Sequence, residues 1–164
     1  MKRIGLLSDT HGYIDDRILL HFGECDEIWH AGDIGSMEVL ERLKNYKPLR
    51  AVYGNIDGSQ IRSILPEIQL FLCEDLNVLI KHIGGYPGKY DLSVKQLIHE
   101  NPPQLFISGH SHILKVMPDK KLSLLHINPG AAGETGMHKV RTLIRFIIDG
   151  SDILEVEVVE LETR

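Results

Sequence analysis

The chain carries four short stretches in which an apolar run gives way at once to polar side chains that can bind a metal. They are Asp9-Thr10-His11, Gly32-Asp33, Gly54-Asn55 and Gly109-His110-Ser111-His112, and a lone His82 follows a fifth apolar run. An apolar run bounded by turn residues is typical of a buried β-strand. In open α/β sheets, ligands bind outside the carboxyl ends of the strands. The pattern therefore predicts that these polar residues converge at one rim of such a sheet.

Length and charge restrict the class of protein. The 164 residues, 43% hydrophobic and 25% charged, are typical of one globular domain covering residues 1–164. Asp9 interrupts the first apolar run too early for a secretory signal, and no apolar run reaches the roughly 20 residues that span a bilayer. We therefore expect a cytoplasmic protein with no membrane partner.

The net charge of −5 argues against binding to long nucleic acid, which requires a positive surface. A small phosphorylated substrate is compatible with this charge, because bound divalent ions would supply positive charge locally. The two cysteines, Cys25 and Cys73, lie far apart in the sequence and form no metal-binding pair. We expect them in the core, so that any metal site uses nitrogen and oxygen donors.

The periodicity of apolar residues predicts alternating strands and helices, followed by strands alone. Predicted strands are Arg3–Ser8, Glu27–His30, Leu49–Tyr53, Ile68–Cys73, Asn77–Lys81, Leu105–Ser108, Ile113–Met117, Leu122–Ile127, Thr142–Ile148 and Ile153–Leu161. Three helices are expected, with N-terminal signals at Asp15, at Ser36 and at the capping-box pair Ser93 and Gln96. Two turns are predicted at residues 118–121 and 149–151, the second as a tight hairpin. The sum is an α/β layered sandwich of two sheets covered by helices.

The chemistry of two neighbouring divalent ions explains why these residue types occur together. Ions about 3.5–4 Å apart need a bridging anionic ligand, and Asp33 is the candidate because Gly32 lets the backbone approach closely. Asp9 and His11 alternate along an expected extended strand end, so both side chains should point to one side. His110 and His112 repeat this spacing.

Asn55 and His82 complete a donor set without thiolate, which suits Mn, Fe, Co, Ni or Zn. Such a pair of ions would hold a bridging hydroxide and clamp a phosphoryl group for in-line attack. Each stretch alone has an ordinary structural explanation, as a capping Asp, a glycine turn or a core histidine. Their combination favours a dinuclear hydrolytic centre.

In this order the stretches resemble the D-x-H, G-D, G-N, lone His and G-H-x-H blocks of the calcineurin-like metallophosphoesterase superfamily. The length resembles that of its small bacterial and archaeal phosphodiesterase branch. The resemblance implies a four-layer αββα sandwich of two mixed β-sheets flanked by helices. It also implies that one ion is held by Asp9, His11, Asp33 and His112, and the other by Asp33, Asn55, His82 and His110. Manganese is expected first, and Ni, Zn, Fe and Co are alternatives.

The implied reaction is hydrolysis of a small phosphodiester by the metal-bound hydroxide, with Asp33 and Asn55 as catalytic residues. The family often has a proton-donating His directly after this Asn, and here that position is Ile56. General acid help is typically worth about 10²–10⁴-fold, so we expect slow turnover and a preference for acidic leaving groups. His138 is a candidate replacement, with a surface loop position as the alternative. His30 and His126 are candidates to orient the ligands.

Two other functions remain open. A retromer subunit with the same fold works as a protein-interaction scaffold without the catalytic His, and a phosphomonoesterase would use the same metal site. Retention of all seven candidate ligands favours the enzyme. The long apolar strand Ile153–Leu161 could also support a homo-oligomer.

Overall fold

A computed structural model describes the backbone of residues 1–163 and the side chains of residues 1–161. The strands are β1 (Lys2–Leu7), β2 (Glu27–His30), β3 (Leu49–Ala51), β4 (Ile68–Cys73), β5 (Leu76–Lys81), β6 (Gly85–Tyr86), β7 (Lys89–Tyr90), β8 (Leu105–Ile107), β9 (Lys115–Asp119), β10 (Leu124–Asn128), β11 (Val140–Asp149) and β12 (Asp152–Thr163). The helices are α1 (Asp16–His21), α2 (Met37–Tyr46), α3 (Ser59–Arg62) and α4 (Leu92–Glu100).

The strands form two five-stranded mixed sheets, as expected. The first has the order β12-β11-β1-β2-β3, in which β1, β2 and β3 run parallel. The second has the order β4-β5-β8-β10-β9, in which β5, β8 and β10 run parallel. The carboxyl ends of these parallel strands carry the loops that contain the polar stretches.

Three apolar layers hold the sandwich together. Trp29, Val78 and Ile144 belong to the cluster between the two sheets. Helices α1–α3 cover the outer face of the first sheet, where Phe22 and Leu40 are fully buried. Helix α4 covers the outer face of the second sheet. The four-layer αββα prediction is therefore confirmed.

Several local predictions are also confirmed. Asp15 accepts a hydrogen bond from the Ile18 amide at the start of α1, and Ser36 does the same for Val39 at the start of α2. Strands β11 and β12 pair Asp149 with Asp152 around a two-residue turn. Both cysteines are free and buried.

Other boundaries differ from the prediction. Helix α4 begins at the N-cap Asp91, which accepts hydrogen bonds from the amide and hydroxyl of Ser93, so Ser93 is not the cap. The strands predicted at 113–117 and 122–127 are shifted toward the C-terminus, and the turn lies at residues 120–123. Pro118 lies within β9 because this strand is at the sheet edge, where a missing amide hydrogen is tolerated.

Helix α3 and the hairpin β6–β7 were not predicted, because helices of four residues and strands of two are too short to show a repeating apolar pattern. None of the helices in the described part of the chain is long and apolar enough to cross a membrane.

Candidate metal centre

The candidate ligands lie in loops that follow five parallel strands. Asp9 and His11 follow β1, Asp33 follows β2, Asn55 follows β3, His82 follows β5, and His110 and His112 follow β8. Parallel strands of one sheet end on the same side, and the two sheets face each other across a shared core. The loops therefore meet at one rim, as the sequence predicts.

The backbone of these loops differs from the extended strand ends that were expected. Of the eight non-glycine residues with positive φ in the described part of the chain, five are candidate ligands: Asp9 (54°), His11 (47°), Asp33 (57°), His110 (71°) and His112 (61°). The prediction that each D-x-H or H-x-H pair alternates along an extended strand is therefore wrong. Left-handed non-glycine residues cost about 1–3 kcal/mol each and cluster at functional sites.

One group of ligand atoms forms around Asp9. Its members are Asp9, His11 and His112, whose ligand atoms all lie within 4.8 Å of one another. Asp9 Oδ1 lies 3.2 Å from His112 Nε2 and 3.7 Å from His11 Nε2. The second carboxylate oxygen accepts hydrogen bonds from Ser8 Oγ and from the His110 amide. Only Oδ1 is thus left for the imidazoles.

A second group forms around Asp33 and contains His82 and His110, again within 4.8 Å. Asp33 Oδ1 accepts a hydrogen bond from the Ile56 amide. Its Oδ2 lies 3.1 Å from His82 Nε2 and 3.4 Å from His11 Nε2. Because His82 and His11 belong to different groups, this single oxygen lies between the two. That is the position a bridging ligand requires.

Asn55 lies beside the second group through His110. Its Oδ1 is 3.0 Å from His110 Nδ1. When Nδ1 carries a proton it donates to the amide oxygen. When Nδ1 is deprotonated, both atoms offer lone pairs to a common cation.

The electrostatics keep both carboxylates ionised. Burial alone would raise the pKa of Asp9, but the imidazoles of His11 and His112 and the Ser8 hydroxyl hold it well below its usual range. Burial also opposes ionisation of Asp33, and His82 more than compensates, so its pKa is lowered. The pKa of His82 rises despite its burial, because Asp33 and Asp9 are close. Two buried negative charges therefore face a ring of imidazole nitrogens.

The hydrogen bonds of the histidines decide which nitrogen faces the centre. His82 Nδ1 lies 2.7 Å from the Ala31 carbonyl oxygen, which can only accept, so Nδ1 carries the hydrogen. In the neutral imidazole, His82 Nε2 is then the unprotonated nitrogen, and its lone pair is available to a cation beside Asp33. On the other side, His112 Nδ1 contacts His138 Nδ1.

These atoms fit a pair of divalent cations. Five buried side-chain atoms in the described part of the chain have no hydrogen-bond partner, and three of them are Asp9 Oδ1, His11 Nε2 and His82 Nε2. Buried polar atoms without partners are rare and point to an ion or water. Ligands at 2.0–2.2 Å around a tetrahedral ion lie about 3.3 Å apart. The 3.1–3.4 Å separations around Asp33 Oδ2 and between Asp9 and His112 match this spacing.

Two glycines make the close packing possible. A Cβ at Gly32, whose φ is +103°, would lie 2.6 Å from the imidazole of His82. A Cβ at Gly54 would collide with Asp33 Oδ1. The glycines before Asp33 and Asn55 are thus required by side chains from other loops.

Several supporting residues were missed by the sequence analysis. The buried Asp57 accepts hydrogen bonds from the amides of Gly54, Ile34 and Gly35, which ties the Asn55 loop to the Asp33 loop. Asn128 donates to the Gly109 carbonyl and to Ser111 Oγ, which fixes the loop of His110 and His112. The sequence contains a signal for Asp57: it lies in a turn bounded by Gly54 and Gly58, where a carboxylate can accept hydrogen bonds from neighbouring amides.

One further candidate, His30, occupies a supporting position, and Ile56 lies where the family often has a proton donor. His30 is buried and contacts Thr10 Oγ1, and its Nδ1 accepts from the Gly32 amide, so it braces the backbone beside Asp9 and Asp33. Ile56 is 46% exposed beside the centre. No proton donor replaces the family's His at that position.

The other two histidines do not act as expected. His126 contacts the Phe106 carbonyl and none of the candidate ligands, so its expected orienting role is wrong. His138 Nε2 contacts the Gly133 carbonyl while its Nδ1 contacts His112. His138 is therefore engaged through both nitrogens behind a ligand, and it supports His112 rather than replacing a proton donor.

The fold and these donor groups define an α/β sandwich with a candidate dinuclear metal site at one rim of its sheets. Residues 1–151 match the model of the calcineurin-like phosphoesterase superfamily domain. The chain is 31% identical over 134 residues to a probable metallophosphoesterase of Methanocaldococcus jannaschii, covering 78% of this chain and 67% of that protein. The chain belongs to the calcineurin-like phosphoesterase superfamily.

Solved structures share the fold. A structure described as a novel archaeal phosphodiesterase has a TM-score of 0.79 at 22% identity, covering 97% of this chain and 99% of the other. Wild-type Vps29 of Entamoeba histolytica in complex with zinc has a TM-score of 0.74 at 16% identity, covering 96% and 98%. At these identities the likeness concerns the fold alone.

Proposed function

We propose that this protein is a two-metal phosphodiesterase that acts on a small phosphodiester. The observation that carries the proposal is the convergence of Asp9 Oδ1, His11 Nε2 and His82 Nε2, which are buried, close together and without hydrogen-bond partners. A structural role would have paired these atoms, because an unmet buried acceptor costs about 1–3 kcal/mol.

The division into two groups suggests how the ligands are shared. Asp9, His11, Asp33 and His112 would hold one ion, and Asp33, Asn55, His82 and His110 the other. When bound, divalent ions lower the pKa of water and neutralise charge on a phosphoryl group. Asp33 would contribute a bridging carboxylate oxygen. Manganese is the first metal to test, with nickel, zinc, iron and cobalt as alternatives.

Ile56, the residue after Asn55, supports a preference for substrates with acidic leaving groups. Ile56 offers no proton, and its amide is committed to Asp33 Oδ1. A leaving alkoxide would depart without side-chain acid help, which favours acidic leaving groups. A phosphodiesterase with the same fold makes diesters the first substrates to test.

A protein-interaction scaffold is the second candidate, because Vps29 structures share the fold over almost the whole chain. A scaffold has no need of ionised buried carboxylates surrounded by imidazoles, and this chain keeps them. The enzyme is therefore the favoured function.

The test is a panel of activated esters with added Mn²⁺, Ni²⁺ or Zn²⁺. Bis(p-nitrophenyl) phosphate should be hydrolysed faster than p-nitrophenyl phosphate, and His110→Ala should abolish both reactions. His21→Ala, on helix α1, is the control. Metal binding without hydrolysis of either ester would favour the scaffold, and a faster monoester reaction would favour a phosphomonoesterase.

A further inference from the structure

A pocket opens beside the metal centre on the side of His110. Its volume is about 460 Å³, and its lining includes His110, Tyr86, Lys115 and His126. The hairpin β6–β7, the start of α4 and strand β10 contribute the rest of the wall. Small-molecule sites are clefts of about 300–1,000 Å³. The position next to His110 is where a group attached to a bound phosphoryl would extend.

The buried His126 gives this pocket a specific chemical preference. Its Nδ1 lies 3.1 Å from the Phe106 carbonyl oxygen, so Nδ1 carries the hydrogen. The ring also packs on Phe106 at a centroid distance of 5.2 Å, which fixes its orientation. His126 is only 1% exposed, and its Nε2 has no hydrogen-bond partner. Burial lowers the pKa of His126 to about 4, so near neutral pH the free Nε2 is an acceptor.

Three other polar side chains of the pocket already have partners. The Tyr90 hydroxyl donates to Asp119, and Asp91 accepts from Ser93. The Lys115 ammonium lies 3.8 Å from the centroid of the Tyr86 ring. Tyr86 still exposes 38% of its surface, so part of the aromatic side chain is free to contact a ligand.

We propose that this pocket binds the alcohol portion of the phosphodiester, and that this portion is a nucleoside which donates a hydrogen bond to His126 Nε2 and packs a ring against Tyr86. A nucleoside combines a planar ring with O–H and N–H donors in one group of suitable size. The proposal rests on the proposed function for the placement of the phosphoryl group, while the binding of the nucleoside itself can be tested separately.

The kinetic test compares two p-nitrophenyl phosphodiesters that differ in the second alcohol. One carries thymidine through its 5′ oxygen, and the other carries phenol, which has a ring and no donor. His126→Phe should lower the ratio of kcat/KM for the thymidine ester to that for the phenyl ester by about 10-fold, the effect of one hydrogen bond. His99→Phe, an exposed histidine on α4, should leave the ratio unchanged. An unchanged ratio in His126→Phe would overturn the proposal.

A second pair of variants tests the aromatic contact. Tyr86→Leu should raise KM for both esters several-fold. Tyr46 is a matched control, because it is also 38% exposed with a lysine ammonium 5.5 Å from its ring. Equal KM values in Tyr86→Leu and Tyr46→Leu would overturn the assignment of Tyr86.

A binding measurement separates this proposal from the proposed function. When metal-loaded wild-type protein is titrated with thymidine, the ¹⁵N resonance of His126 Nε2 should move upfield as it accepts a hydrogen bond. No movement at millimolar thymidine would overturn the pocket assignment whatever the activity. Movement of this resonance without hydrolysis of either ester would support nucleoside binding in this pocket and would contradict the proposed phosphodiesterase function.

Discussion

His138 lies directly behind His112, with the two Nδ1 atoms 3.2 Å apart. Its other nitrogen, Nε2, is 2.8 Å from the Gly133 carbonyl oxygen, which can only accept a hydrogen bond. In neutral His138 the hydrogen is therefore on Nε2, and Nδ1 accepts from His112 Nδ1. His112 is left with a bare Nε2 directed at Asp9 Oδ1. The Gly133 carbonyl, His138 and His112 thus form a hydrogen-bonded chain that leaves the Nε2 of His112 free to bind a cation.

Removing His138 should weaken metal binding without removing a ligand. Loss of a partner that orients a metal-binding histidine typically costs about 10–100-fold in affinity, and we expect His138→Ala to fall in this range. Competition with a chromogenic chelator measures the change. His99→Ala should behave as wild type, and equal affinity in the two variants would contradict the orienting role.

Restoring a proton donor beside the centre should accelerate hydrolysis. Ile56→His is expected to raise kcat for diesters with poorly acidic leaving groups by up to about 10²-fold, with a smaller effect on p-nitrophenyl esters. Ile64→His is a matched control, since Ile64 is 47% and Ile56 46% exposed. Equal rates in both variants would mean that leaving-group departure does not limit turnover.

Asp57 should contribute more to stability than its loop position suggests. Asp57→Ala would leave the amides of Gly54, Ile34 and Gly35 without their acceptor, and we expect the free energy of unfolding to fall by about 3 kcal/mol. Ser36→Ala, which removes a helix cap, should cost about 1 kcal/mol. Urea unfolding measures both. A smaller loss for Asp57→Ala than for Ser36→Ala would contradict this role.

The buried His126 should make stability depend on pH. Its pKa is about 4 in the folded protein, compared with 6.5 for an exposed imidazole. Between these values the unfolded chain binds more protons, so the stability contribution is present above about pH 6.5 and is lost as pH falls toward about 4. Relative to His126→Phe, the wild type should lose up to about 3 kcal/mol over this range. The free energy of unfolding is measured in urea with chelator across this pH range. If it changes equally with pH in the wild type and in His126→Phe, His126 is not a neutral buried imidazole.

Much of the architecture could be predicted because each element carries a local signal. Asp15 and Ser36 precede apolar periodicity and cap their helices, and Asp149-Gly150 marks the last hairpin. Ser93 misled the prediction of α4, because Asp91, two residues earlier, offers a stronger acceptor. The edge strand β9 was displaced because Pro118 reads as a turn residue unless the neighbouring strands are known.

The composition of the site could be predicted, while its geometry could not. The i, i+2 spacing of Asp9 and His11 fits an extended strand equally well, yet both residues adopt left-handed backbone conformations. His110 and His112 join different groups because the loop turns between them. Contacts such as His112 with His138, 26 residues apart, depend on the folded arrangement of loops and leave no local pattern.

The most direct test of the two-ion centre is the metal content of protein purified without chelator and dialysed after loading with Mn²⁺. Mass spectrometry of the wild type should find two divalent ions per chain. Asp33→Asn should retain fewer than one, because the neutral amide loses the negative charge and one of the two oxygens of the carboxylate between the two groups. Asp152→Asn, an exposed control, should retain both. A folded wild-type chain that holds no ion under these conditions, or an Asp33→Asn variant that still holds two, would contradict a centre bridged by Asp33.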